Sequence, residues 1–163
     1  MTNSAPYSTP HPPRPRPAAY VLLIASFAGF SDSAYLTAKF LVGTAPTCVL
    51  LRGCDIVTLS RYATIFNIPI ALIGAVYYLA VFVLIISFLN TRRPGFLYAA
   101  AAVPLPAALF SVWLIYLQIA VIKALCVFCL FSAITTGVLL CAGLSVLIKR
   151  RTLDGVVYED HTR

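Results

Sequence analysis

The sequence predicts an all-α integral membrane protein, a bundle of four transmembrane helices with an extracytoplasmic loop that carries a short amphipathic helix. Three observations predict it. Hydrophobic residues make up 61% of the 163 residues and charged residues only 10%, against about 25% charged in a soluble domain. A chain this small leaves much of its surface exposed, so the solvent for most of it is lipid. Apolar runs near the ~20 residues needed to cross a bilayer recur four times. The basic residues behind the net charge of +7 stand at the ends of those runs. Topology signals stand there, whereas a nucleic-acid site would gather them in a patch. No nucleic-acid partner is expected.

The elements follow in order. Residues 1–17 are polar and proline-rich, around His11-Pro12-Pro13-Arg14-Pro15-Arg16-Pro17. They read as a disordered tail with some polyproline character. Residues 18–42 form the first span. A signal peptide has an apolar core of roughly 7–15 residues, whereas this run is longer and holds Ser31, Asp32 and Ser33 inside it. Residues 43–67 form a loop with Cys48 and Cys54. Within it Ile56, Leu59, Ser60 and Ala63 fall on one side at helical spacing, which predicts a short helix lying on the membrane face.

The second span is expected over 68–89, with Pro69 tolerated in its first turn. Asn90-Thr91-Arg92-Arg93-Pro94-Gly95 is a tight basic turn. The third span covers 96–122, kinked or partly unwound at Pro104 and Pro106. Lys123 breaks the pattern, and 125–148 forms the fourth span. The membrane domain is therefore expected over 18–148, with a tail over 149–163. The length leaves no room for a separate soluble domain.

Four spans put both termini on one side. Arg14, Arg16, Arg92, Arg93, Lys149, Arg150 and Arg151 share a face, while Lys39, Arg52, Arg61 and Lys123 are spread over the other. The excess marks the first face as cytoplasmic. Both termini then lie inside. Cys48, Cys54, Cys126 and Cys129 fall on the outer face, where disulfides persist.

Cys126-Val127-Phe128-Cys129 sits where Lys123 gives way to the last apolar run. Two cysteines three apart share a helix face. Unpaired amides at a helix start and a nearby cation favour the thiolate. A redox dithiol is the reading preferred over simple packing. Cys48 and Cys54 are either a static staple for the loop, part of a four-cysteine zinc site, or a second redox pair. Two pairs on one face suggest a relay, since a thiolate attacks a disulfide through a mixed intermediate. Cys141 has no partner in the sequence and reads as packing.

Electrons leaving such a dithiol need an acceptor soluble in lipid. The sequence carries no Cys-x-x-Cys-His and no Gly-x-Gly-x-x-Gly, and both histidines, His11 and His161, lie in the tails. A membrane quinone is the simplest acceptor, bound between helices near Cys129. Asp32 is the one carboxylate inside a span, which makes it a functional candidate. It suits a proton relay, a quinone contact or an internal partner such as Lys39. Tyr35, Tyr77, Tyr78 and Tyr116 offer hydroxyls to a quinone carbonyl, with Tyr78 and Tyr116 carried forward as candidates. Ser60 offers a hydroxyl from the loop helix, to a ligand, a thiolate or its own backbone.

The order of a loop cysteine pair, a serine six residues past the second cysteine and a Cys-x-x-Cys opening the last helix resembles the vitamin K epoxide reductase family in its bacterial form. Cys48, Cys54, Ser60, Ile68-Pro69-Ile70-Ala71-Leu72-Ile73-Gly74 and Cys126-Val127-Phe128-Cys129 carry the resemblance. It implies a four-helix bundle around a quinone, menaquinone or ubiquinone, with the loop helix as cover and no metal. It implies that the loop pair takes electrons from an extracytoplasmic thioredoxin-like thiol protein, which is a fused domain in many bacterial members and would be a separate partner here. It further implies that Cys54 exchanges with Cys126, that Cys129 faces the quinone, and that Ser60 stands near it. The expected function is thiol:quinone oxidoreduction in support of disulfide formation outside the cytoplasm. The alternative is a non-catalytic membrane protein whose loop disulfide is only a staple.

Overall fold

Long apolar runs with no polar face have one stable form in lipid, the helix, because it satisfies its backbone hydrogen bonds within itself. A computed structural model describes residues 17–44, 46, 53–58 and 60–160, with side chains described as far as 148. Among the described residues four helices are long and apolar enough to cross a membrane, over Pro17–Leu41, Ile70–Thr91, Pro94–Ile122 and Val127–Ile148. The chain is thus the all-α membrane bundle that the sequence predicts. Residues 1–16, Cys48, Arg52 and Leu59 lie outside the described residues.

Helix α1 runs over Pro17–Leu41, with proline tolerated in a first turn that has no use for its missing N–H. Helix α3 runs over Ile70–Thr91 and buries Ala75, Tyr78, Val81, Ile85 and Phe88, one stripe at helical spacing. The third span is three pieces: α4 over Pro94–Ala102, α5 over Pro104–Tyr116, and a π-helical turn over Leu117–Ile122. The interruption at Val103 fits the sequence, because Pro104 and Pro106 cannot donate to the carbonyls one turn back. Helix α6 runs from Val127 to Asp160. The expected tail therefore continues as helix well past 148, through a stretch that contains no proline to stop it.

The core lies where α1, α3, α4 and α6 meet. Leu22 of α1, Val81 and Ile85 of α3, Ala100 of α4 and Leu139 of α6 are wholly buried there. Small residues permit the close approach. A Cβ on Gly29 would fall 2.6 Å from Cδ1 of Tyr78, and one on Gly143 would fall 2.6 Å from the carbonyl oxygen of Ala101. Small residues let membrane helices pack backbone to backbone in this way. Outward faces are apolar and bare, with Ile24 69% and Leu109 76% exposed, as suits a lipid solvent.

The loop differs from the expectation in two respects. In place of one amphipathic helix there is a five-residue helix α2 over Cys54–Thr58, then a single 3-10 turn over Arg61–Ala63. Its buried side is Cys54 and Val57, while Ile56 is exposed. The face is fixed by where Cys54 must pack, not by the hydrophobic count. A two-residue hairpin follows, with Thr64 opposite Pro69 and Ile65 opposite Ile68. Phe66 and Asn67 turn it with φ of 51° and 64°, the left-handed pair of a type I′ turn. The usual Asn-Gly signal is missing, and a strand of two residues has no periodicity to read.

Candidate active site

The start of α6 is built by its cysteines. The carbonyl of Cys126 accepts the first helical bond, from Leu130 N–H at 3.0 Å. Cys126 is therefore the residue that caps the helix, and α6 begins after it. Its sulfur accepts the N–H of Cys129 at 3.4 Å, taking up one of the orphan donors of the first turn. Cys126 is wholly buried, outside the spanning segment. The side chain of Cys129 donates to its sulfur, and this is the chief reason that its pKa lies below the usual thiol range. Backbone donation from Cys129 and Phe128 acts in the same sense, while burial and the charge of Asp32 oppose it. The helix-start contribution is as the sequence suggested. The cation is not: Lys123 is exposed, its backbone in the left-handed region at φ 56°.

Cys54 meets Cys126 in a buried cluster with Val57, flanked by Ile122, Ala124, Phe128 and Cys129. Gly53 allows this approach. A Cβ there would stand 2.7 Å from the carbonyl oxygen and 2.9 Å from the nitrogen of Leu125. Cys54 is disulfide-bonded, whereas Cys126, Cys129 and Cys141 are free thiols.

Cys129 lines an open-sided cavity of about 410 Å³ walled by α1, α3, α5, the π-helical turn, α6 and the loop. Small-ligand sites run roughly 300–1,000 Å³. Its wall is mostly apolar, with Ser60, Tyr77, Tyr78, Ser111 and Gln118 among its polar members. A quinone is a flat, mostly apolar ring, and this volume and apolar wall fit one.

The remaining candidates fall into two groups. Ser60 and Tyr78 line the cavity with Cys129. The Ser60 hydroxyl donates to the carbonyl of Val57 at 2.8 Å. The Tyr78 hydroxyl donates to the carbonyl of Ser132 at 2.7 Å and lies 3.0 Å and 2.8 Å from the hydroxyls of Ser132 and Thr136. Tyr78 thus ties α3 to α6 and presents its ring, not a free hydroxyl. Asp32 and Tyr116 do not line the wall. Asp32 keeps Oδ2 sealed and without a hydrogen bond. Tyr116 is 55% exposed and stacks on Trp113 at 5.6 Å between ring centres. Cys141 is exposed along α6.

Gln118 is the residue that the motifs did not reveal. It is buried within the π-helical turn, and its Oε1 accepts the backbone N–H of Cys126 at 2.9 Å. A buried glutamine inside a long apolar run, eight residues before the dithiol, was the available signal.

An apolar cavity within a four-span bundle, with Cys129 of a free dithiol at its wall and the disulfide-bonded Cys54 packed against Cys126, is an arrangement suited to thiol redox chemistry. Residues 20–144 match the model of the vitamin K epoxide reductase family, and the chain belongs to that family. The match takes in the loop, Ser60 and the Cys-x-x-Cys. Membership and fold together make it a multi-pass membrane protein of the thiol–quinone oxidoreductase class.

Proposed function

We propose that the protein moves two electrons from a reduced thioredoxin-like thiol protein outside the cytoplasm, through its two cysteine pairs, to a membrane quinone. The observation that carries the proposal is the placement of the two dithiol sulfurs. Cys126 is buried against Cys54, and Cys129 lines the cavity.

The chemistry balances as two thiol–disulfide exchanges and one reduction. The partner dithiol reduces the loop pair, which we assign as Cys48–Cys54, and leaves as a disulfide. The Cys54 thiolate attacks Cys126 of an oxidised Cys126–Cys129 pair and releases Cys129 as a thiolate. Return of Cys48 onto Cys54 frees Cys126. The Cys126–Cys129 dithiol is then reoxidised, its two electrons and two protons passing to the acceptor. A bound quinone supplies that two-electron acceptor. Around it the chain's own groups bind and exclude water. The Tyr78 ring and Ser60 are the proposed wall contacts. Tyr116, on the lipid side of α5, and Asp32, behind the wall, fall outside the direct contacts that we assign.

Topology follows from charge. With Arg92, Arg93 and the cluster at 149–151 cytoplasmic, both termini lie inside and the four redox cysteines lie at the outer face. The function would then be disulfide formation for exported proteins.

The test is anaerobic quinone reduction by the pure protein with a reduced thioredoxin-like donor. Wild type turns over, and Cys129→Ala abolishes turnover. Full turnover by that variant would refute the proposal.

A further inference from the structure

The Gln118 carboxamide has two ends, and the structure gives them different neighbours. An N–H can bond only to the oxygen end of an amide. The Cys126 N–H, at 2.9 Å from Gln118, therefore fixes which end is Oε1 and leaves Nε2 on the other side. Among the described residues the sealed polar atoms without a hydrogen bond are Asp32 Oδ2 and Tyr77 Oη. Gln118 Nε2 is not one of them and makes no hydrogen bond among the described residues, so it keeps some open surface. The open space beside Gln118 is the cavity that Cys129 also lines.

The backbone explains how one side chain does both. In the π-helical turn over Leu117–Ile122, the carbonyl of Gln118 accepts the N–H of Lys123 and, at 3.1 Å, that of Ala124. The widened turn and the left-handed Lys123 fold the chain back, so that Cys126 returns beside the residue eight positions earlier. Within the turn Leu117 and Gln118 face inward while Ile119 is 61% exposed. Such π-turns inside helices are frequent at functional sites. A carboxamide buried in an apolar span is costly unless its groups are bonded. Half of it is satisfied by Cys126, and the other half has only the cavity.

We propose that Gln118 is a bridging residue between the dithiol and the acceptor, its Oε1 holding the Cys126 backbone while its Nε2 donates a hydrogen bond to a carbonyl oxygen of a quinone in the cavity. The inference rests on the quinone reading above and adds to it a specific donor. The same amide sets the position of the first dithiol residue and the orientation of the acceptor ring.

Two variants separate the two ends. Gln118→Met keeps the length and loses both. Gln118→Glu keeps an acceptor for Cys126 and, once ionised, loses the donor. Quinone KM and kcat are measured anaerobically with dithiothreitol from pH 6 to 9, each variant as a ratio to wild type. Cys126, Cys129, Asp32 and Tyr77 are titratable groups around the site common to all three proteins, so their contribution cancels in the ratio. Loss of one hydrogen bond predicts about a ten-fold rise in KM for Gln118→Met at every pH. For Gln118→Glu the KM ratio climbs with pH, because the neutral acid still donates and the carboxylate does not.

The equilibrium of the Cys126–Cys129 pair with dithiothreitol, read without quinone, reports the other end. It stays within about two-fold of wild type in Gln118→Glu and shifts further in Gln118→Met, where the amide of Cys126 loses its acceptor. An unchanged KM in both variants, or a pH-independent ratio for Gln118→Glu, overturns the inference while leaving quinone reduction by wild type intact. Failure of wild type itself to reduce any quinone overturns the functional reading and the inference with it.

Discussion

Gly53→Ala tests whether the loop must press on the start of α6 for electrons to move. The added Cβ would lie 2.7 Å from the carbonyl oxygen of Leu125, 2.9 Å from its nitrogen and 3.1 Å from Cβ of Ala124. Two of the three are backbone, and neither is the end of a flexible side chain. Ordinary contact begins near 3.4 Å, so the loop must retreat by roughly 0.7 Å, and Cys54 is the next residue. A misplacement of about 1 Å between reacting groups costs on the order of a hundred-fold in rate. We therefore expect thioredoxin-driven quinone reduction to fall by about ten- to a hundred-fold. The assay is stopped-flow quinone reduction with a reduced thioredoxin-like donor, beside a control in which dithiothreitol reduces the Cys126–Cys129 pair directly. The control falls much less, because dithiothreitol reduces the Cys126–Cys129 pair without Cys54. Equal loss in both arms, or no loss in the first, would refute the reasoning.

Two further outcomes follow from the same geometry. Tyr78→Phe removes the link from α3 to Ser132 and Thr136 and should destabilise the bundle by about 1–2 kcal/mol, read by detergent-induced unfolding; unchanged stability would show that the link contributes nothing. Hydrogen bonds from Cys129 hold the Cys126 pKa low, which favours the thiolate, so the midpoint of its alkylation with pH should lie below the ~8.5 of free cysteine. Cys129→Ala removes the leading cause and should move that midpoint up, and a midpoint that stays put would contradict the assignment.

The sequence reads the spans well because membrane helices announce themselves by length and apolarity alone. Observed ends fall within two residues of the expected ones, apart from the end of α6, where the polar sequence that continues the helix lacks any such signal. What stayed hidden lies where every residue is apolar or the element is short. Tyr78 and Tyr116 look alike in sequence, yet the first is buried in α3 and the second faces outward from α5. A uniformly apolar helix has no polar face from which to choose. The loop helix presents Cys54 and Val57, not Ile56, because packing on Leu125 and Cys126 outweighs local amphipathicity. Gln118 was visible as an oddity, but its bond to Cys126 depends on a π-turn that no residue pattern marks.

The central claim is that Cys54 and Cys126 exchange directly while Cys129 serves the acceptor. Cys129→Ser removes the thiol that would otherwise take Cys126 back into its own pair. Mild oxidation of that variant in membranes, followed by alkylation and peptide mass spectrometry, should show a Cys54–Cys126 disulfide as the main product. The account is contradicted if Cys126 is recovered alkylated while Cys54 remains bridged to Cys48 throughout.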